Sequence, residues 1–358
     1  MCGDLMPIIR KPVKISPQKR VVSLLRPFRP IMLSLVLFLG LAHSTAHAQL
    51  IGSVSVSTSY SDNAFQLSEY DLSRYQDNNN LLSFVKTTDD LTIGTKVELA
   101  YPLHYRWWKI TPSVIGNISQ NVSNTEKYRR DAAFKVRVDR YYWNASLQYA
   151  HHPHIYFRDF NDNDGSDKLE NYSYSRDLYR ADLTLEPLKN TSFKTNYRLE
   201  NFRYNEFFAE ADGKATQGGL SVVYRFPVFT MDAGYDYRTF DNENLVDNDD
   251  ASYNANIYHG KLTIPKMPVS QEGKILWQPS LALNYQQRYY QGDGSWYGGR
   301  ADYTYTMNAA FQWFFAANLN LSLDYSHIFR NVESDSESVL RLKEYGENRF
   351  GAVIKYKF

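Results

Sequence analysis

The chain has 358 residues, with 40 basic and 39 acidic side chains, 15% aromatic residues and a single cysteine, Cys2. So even a charge balance gives no footing for nucleic-acid binding, and one cysteine excludes both a disulfide framework and a thiolate metal site. A mean hydropathy of −0.51 argues against membrane helices, but a spanning sheet shows lipid only alternate residues and escapes that objection.

The N-terminus reads as an export signal. Arg10, Lys11, Lys14, Lys19, Arg20, Arg26 and Arg29 precede the apolar run 31–41, and Ala46-His47-Ala48 offers small residues for cleavage before Gln49. Residues 1–48 are therefore expected to be a cleaved signal peptide and residues 49–358 a single domain. The apolar run is too short to span a bilayer as a helix. Without the leader's seven bases and one acid, 33 basic and 38 acidic residues remain, a net charge of −5.

Alternation of apolar and polar residues gives fourteen strand candidates in order. The first covers Gly52–Tyr60, with Val54, Val56, Thr58 and Tyr60 on one face and serines on the other. It starts almost at the expected cleavage site, leaving no room for a plug or repeat domain ahead of it. A polar loop from 61 to about 89 leads to Asp90–Tyr101, and a turn through Pro102 brings in Trp108–Asn121. Ala132–Val138, Tyr142–Tyr156, Tyr174–Leu185 and Thr191–Tyr204 follow. Next come Gly218–Phe226, a ninth strand starting near Phe229, and Ser252–Ile264, whose alternation slips near His259 and reads as a bulge. Trp277–Tyr290, Ala301–Phe315, Leu319–Phe329 and the last segment complete the set. Long connections are expected to follow the odd strands and short ones the even strands, the arrangement of a bacterial membrane barrel.

From Phe350 the apolar residues Phe350, Ala352, Ile354, Tyr356 and Phe358 alternate with Arg349, Gly351, Lys355 and Lys357. This end resembles the closing strand of Gram-negative outer-membrane β-barrels, in which the terminal aromatic residue serves as the assembly signal; the resemblance gives that role to Tyr356 and Phe358. It implies an all-β, antiparallel up-and-down transmembrane barrel of about 14 strands, porin-like, exported through the periplasm to the outer membrane. Outer-membrane lipid, lipopolysaccharide and the barrel-assembly machinery are the partners it implies, and no nucleic acid. The opening stretch 55–67 (SVSTSYSDNAFQL) is also similar to the barrel domain of surface lipoprotein assembly modifiers, whose preceding tetratricopeptide repeats are absent here.

With the apolar faces turned to lipid, the opposite faces place Lys96, Lys109, Lys135, Arg137, Arg180, Lys194, Arg198, Arg225, Arg238 and Arg288 in the lumen. Asp232, Asp236, Asp302 and Asp324 join them. So many charges need water or partners. They could pair across strands as ordinary sheet stabilisers, or their basic excess could bias passage of small hydrophilic solutes toward anionic or sugar-like ones. The expected function is a channel, with a surface interaction or export-assistance barrel as the alternative and an outer-membrane enzyme behind it. No Ser/His pairing rises above chance as a nucleophile beside a base would, so no catalytic residue is assigned. His151, His152 and His154 could bind a metal, since His152 and His154 lie on one face of a strand, but no acidic or thiol partner stands at a defined spacing, and Asp162 to Asp167 is dense in oxygen ligands without the spacing of a calcium loop. No metal and no cofactor are expected.

Overall fold

The computed structural model describes residues 50–77, 82–161, 168–243, 250–269 and 275–358. The leader with its cleavage site and the aspartates at 162–167 lie outside these residues. Among the described residues fourteen strands form the wall. They are β1 (Ile51–Ser61), β2 (Asp90–Ala100), β3 (Trp108–Asn121), β4 (Tyr128–Arg140), β5 (Trp143–Asn161), β6 (Leu169–Leu188) and β7 (Thr191–Tyr204). The second half comprises β8 (Gly213–Arg225), β9 (Thr230–Asn242), β10 (Tyr253–Thr263), β11 (Leu276–Tyr290), β12 (Ala301–Phe314), β13 (Leu319–Glu333) and β14 (Tyr345–Lys357). Each pairs antiparallel with its sequence neighbours, and β1 pairs with β14 from Ser53↔Lys357 to Ser61↔Arg349. The sheet is an up-and-down barrel closed on itself, which leaves no free edge.

Residues opposite each other in the register share a face, so the ladder sorts the side chains. Val56 faces Ile354 and Tyr60 faces Phe350 on the outside, while Ser57 and Ser61 face Val353 and Arg349 on the inside. The outer face is apolar and uncovered: Leu147 is 67% and Leu220 70% exposed. Trp108 packs on Trp143 at 5.6 Å near the short turns, and Tyr235, Tyr258, Tyr285 and Tyr305 form a chain of ring contacts of 4.6–6.2 Å nearer the long connections. A tall apolar belt bounded by aromatic girdles is the outside of a protein solvated by a bilayer. In hydrocarbon only closure satisfies the backbone groups of a sheet. The chain is an outer-membrane barrel of the Gram-negative type.

The seam has its own fitting. Gly52 donates to and accepts from the Phe358 backbone, both at 2.9 Å, and the Phe358 ring lies where a Cβ on Gly52 would sit. A side chain at position 52 would collide with the ring.

Three local expectations fail. The register of β10 with both β9 and β11 is unbroken through His259, so no bulge lies there. Its alternation slips because Tyr253, Ala255 and Ile257 turn inward, opposite Phe240, Arg238 and Asp236. The bulges lie elsewhere, between His152 and Ile155, between Tyr156 and Arg158, and between Leu185 and Leu188. Loop lengths do not alternate strictly either: the outer connection 122–127 is no longer than the inner one 101–107, and the inner one 264–275 exceeds several outer ones. β5 and β6, 19 and 20 residues long, run past their expected ends and take in chain that read as loop.

Among the described residues the dry core lies at the mouth. Phe65, Leu67, Leu82, Val85 and Tyr156 are buried together, with Leu72, Tyr75 and Phe84 against them. All but Tyr156 belong to the first outer connection, which read as a polar loop. That connection contains α1 (Glu69–Gln76), whose N-cap Ser68 accepts from the Asp71 N–H. A second helix, α2 (Glu337–Lys343), stands in the last outer connection and buries Val339.

Candidate functional site

Inside the wall a cavity of about 720 Å³ runs along β4 to β11. Of the charged residues expected in the lumen, Lys135, Arg137, Arg180, Lys194, Arg198, Arg238, Arg288, Asp232 and Asp236 line it. The remaining five occupy the same face of the sheet by register. Lys96 lies opposite Ser55 and Asn117, Lys109 opposite Asp139, and Arg225 opposite Thr230. Asp302 lies opposite Arg288, and Asp324 opposite Ala310 and Gly351.

These charges are not equivalent. Lys194 Nζ reaches Asp232 Oδ2 at 2.6 Å, and Arg238 meets both oxygens of Glu200 at 3.2 and 3.3 Å. Arg137 pairs with Asp139 at 2.7 Å and Arg180 with Asp182 at 2.8 Å, each two residues along its own strand. Arg225 reaches Glu186 at 3.3 Å near the short turns, where both are well exposed. Arg198 and Lys135 form no ion pair among the described residues. Arg198 has Arg180 directly opposite on one side and Gln217 on the other, and its Nε is buried without a partner. Two guanidiniums side by side repel, and with no carboxylate in ion-pair reach among the described residues Arg198 and Lys135 keep their charge toward the cavity.

Above the cavity the first connection bridges the mouth from β14 to β5. Asn63 Nδ2 donates to the Gly346 carbonyl at 2.9 Å and Gln66 to Glu347 at 3.1 Å. At the other side Arg158 donates to the Phe65 carbonyl at 3.3 Å and lies 3.6 Å from Asp71. Lys127 donates to the Ala64 carbonyl at 2.8 Å and stands 4.3 Å over the Phe65 ring. Burial, with the Arg158 charge near it, pushes the Lys127 amine down to about 8. Glu347, almost fully buried, accepts from Ser61 at 2.6 Å and from Arg349.

The helix α2 meets this layer through Arg341, 3.9 Å over the Tyr70 ring. Below it Asp302 gathers Arg300 at 2.9 and 3.0 Å, Arg330, and the Tyr290 hydroxyl at 3.1 Å. Lys343 stands 5.0 Å over Trp296. Burial and the guanidiniums of Arg158, Arg300 and Arg330, against Asp302 alone, push its amine down to about 7.

The histidines separate. His152 turns inward with Nδ1 2.6 Å from Asp131, His151 turns outward 2.8 Å from Asp177, and His154 stacks on Tyr128 at 4.6 Å. The bulge after His152 removes His154 from its face, so the two do not share one as a regular strand would require. Among the described residues no three His, Cys, Asp or Glu side chains converge to hold a metal ion.

Sequence reasoning missed the mouth: Arg158, Arg300, Arg330, Lys343 and Glu347 were not candidates. Phe65, Leu67, Leu72, Leu82, Phe84 and Val85 within one supposed polar loop were the available signal.

No family model matches the chain, and no curated relative does. Among solved structures it is similar to the outer membrane channel DcaP of Acinetobacter baumannii, at 14% identity over 88% of this chain and 99% of that one, with a TM-score of 0.49. It is also similar to an anion-selective porin from Comamonas acidovorans, at 8% identity over 87% and 99%, with a TM-score of 0.44. The strand pairing and the uncovered apolar belt carry the barrel assignment by themselves.

Proposed function

We propose that the protein is a porin-like channel for small hydrophilic solutes, with a preference for anionic or sugar-like ones set by its lumen. The cavity along β4 to β11, lined by charged and amide side chains, is the observation that supports this reading. Pairing confines the anion preference to few residues. Lys194, Arg238 and Arg180 are neutralised locally, while Arg198 and Lys135 offer free charge where a solute must pass close by. The acidic outer rim, with Glu333, Asp335 and Glu337, acts over longer range and is screened within about 8 Å at 0.15 M salt. Weak anion selectivity at high salt, drifting toward cations as salt is lowered, is the expected behaviour. Reversal potentials across a KCl gradient test it: Arg198→Gln with Lys135→Gln should abolish the high-salt anion preference and retain conductance. Cation selectivity of the unmodified protein at high salt would overturn the basic-lumen reading.

A barrel that serves surface contact rather than passage is the second reading, favoured by the connection packed across the mouth. Absence of conductance both in the unmodified protein and in Phe65→Ala would select it.

The terminal pair Tyr356 and Phe358 is proposed as the assembly signal. Phe358→Ala should lower the yield of heat-modifiable barrel in the outer membrane, and an unchanged yield would remove that role.

A further inference from the structure

The outward face of the wall carries a dent of about 430 Å³ across β2 to β5, floored by Val97, Gly116, Ile118, Ala132 and Pro153. Gly116 is opposite Val97 and Ala132 on the outer face, and a Cβ built on it meets nothing within 4 Å. Small residues at adjoining positions of neighbouring strands thus leave a slot in the belt. A hydrocarbon chain lying in it would regain the dispersion contacts that the missing side chains leave unmade.

The rim of the slot toward the long connections is cationic. Arg130 is outward by register, opposite Ile118, exposed, and in contact with the Tyr128 ring at 5.4 Å. It forms no ion pair among the described residues. The outward carboxylate of Asp177 on β6 is engaged by Tyr149 and His151 at 2.8 Å each. Arg130 stands ten residues along β4 from Arg140 at the short-turn end. A tilted strand rises roughly 25 Å over that length, the height of the apolar belt, which sets Arg130 at the headgroups of the outer leaflet.

We propose that this slot and its arginine bind a phosphorylated glycolipid of the outer leaflet, one acyl chain lying over Gly116 and Ala132 and a sugar phosphate meeting Arg130. A guanidinium gives a phosphate two parallel donors, and a site open to hydrocarbon on one side and headgroups on the other suits no free anion. The binding is independent of whether the lumen conducts.

Native mass spectrometry of the full barrel in detergent, titrated with bisphosphorylated lipid A, tests this. Arg130→Gln should weaken binding about tenfold, as loss of one charge-assisted contact does. Gly116→Leu should weaken it comparably by filling the slot. Arg140→Gln, an outward arginine at the opposite end, should leave it unchanged. The unmodified protein should also bind fully dephosphorylated lipid A about tenfold more weakly, a comparison needing no variant. Equal binding by the unmodified protein and Arg130→Gln, or an unaltered affinity in Gly116→Leu, would overturn the site. Phosphatidylglycerol bound as tightly as lipid A, and weakened equally by Arg130→Gln, would overturn the glycolipid in favour of a phospholipid.

Discussion

Leu283 on β11 and Phe65 in the first connection are both large apolar side chains, yet Leu283 keeps 56% of its surface uncovered and Phe65 only 2%. The wall and the mouth meet the hydrophobic effect with different partners. In the wall, lipid covers the apolar side chains and the protein contributes backbone ladders and an interior of polar and charged groups. In the mouth, the chain covers its own apolar side chains, as a water-soluble domain does, at about 1.5–3 kcal/mol for each large one. A membrane solvent stabilises the first region and not the second. The two should therefore respond separately to mutation.

The largest effect is expected at the mouth. Phe65→Ala removes the centre of a core holding few other large side chains and should cost about 3–5 kcal/mol of the packing there. The prediction is a faster-exchanging first connection by hydrogen exchange and a raised single-channel conductance, with the heat-modifiable migration of the wall retained. Collapse of the whole barrel would show that the two regions are one cooperative unit.

The wall is probed by a pair of substitutions on one strand. Leu281 pairs with Leu262 and Ala309 on the outer face and is 40% exposed to lipid, whereas Gln286 lines the cavity. Leu281→Arg should destabilise by about 2–4 kcal/mol in lipid, and Gln286→Arg much less. Urea unfolding in vesicles measures both, and equal losses would contradict the facing given by the register.

A smaller, pH-dependent effect distinguishes the mouth again. The Lys343 amine is held down to about 7 from an ordinary 10.5. Between these values the unpacked loop binds a proton that the packed loop does not, so packing strengthens as pH rises through that window and weakens as pH falls toward 7. Below 7 the ammonium forms beside Arg158, Arg300 and Arg330. Gating noise in planar bilayers should increase as pH is lowered from about 10 toward 7 and level off below it, and Lys343→Met should flatten that dependence. An unmodified dependence in Lys343→Met would assign the transition to another group.

The wall was legible in the sequence because a lipid-facing strand must alternate. Trp108–Asn121 and Thr191–Tyr204 agree with the structure to the residue. Strand ends were less legible where the wall rises out of the bilayer: in β5 and β6, beyond Tyr156 and before Tyr174, both faces meet water and protein and the alternation lapses. β10 misled for the opposite reason, since Tyr253 and Ile257 line the cavity on the inner face and no rule makes that face uniformly polar. Which lumen charges remain free was not legible at all. That depends on residues far apart in sequence, such as Glu200 reaching Arg238, and alternation reports the face of a residue without its neighbours across the ladder.

The pairing of Gly52 with Phe358 sets how this protein can fold. These residues are roughly 300 positions apart, and joining ends at that separation costs about 5 kcal/mol of chain entropy if nothing intervenes. Hairpins of adjacent strands form locally, so the ladder from β1 through β14 can grow while that cost diminishes, and closure becomes the late event. Until then β1 and β14 are two open edges, each with a full row of unpaired donors and acceptors and each a template for a second chain. The same pair of strands that completes the wall is therefore its chief hazard in transit, and whatever delivers this protein to the membrane must keep those two edges apart from every partner except one another.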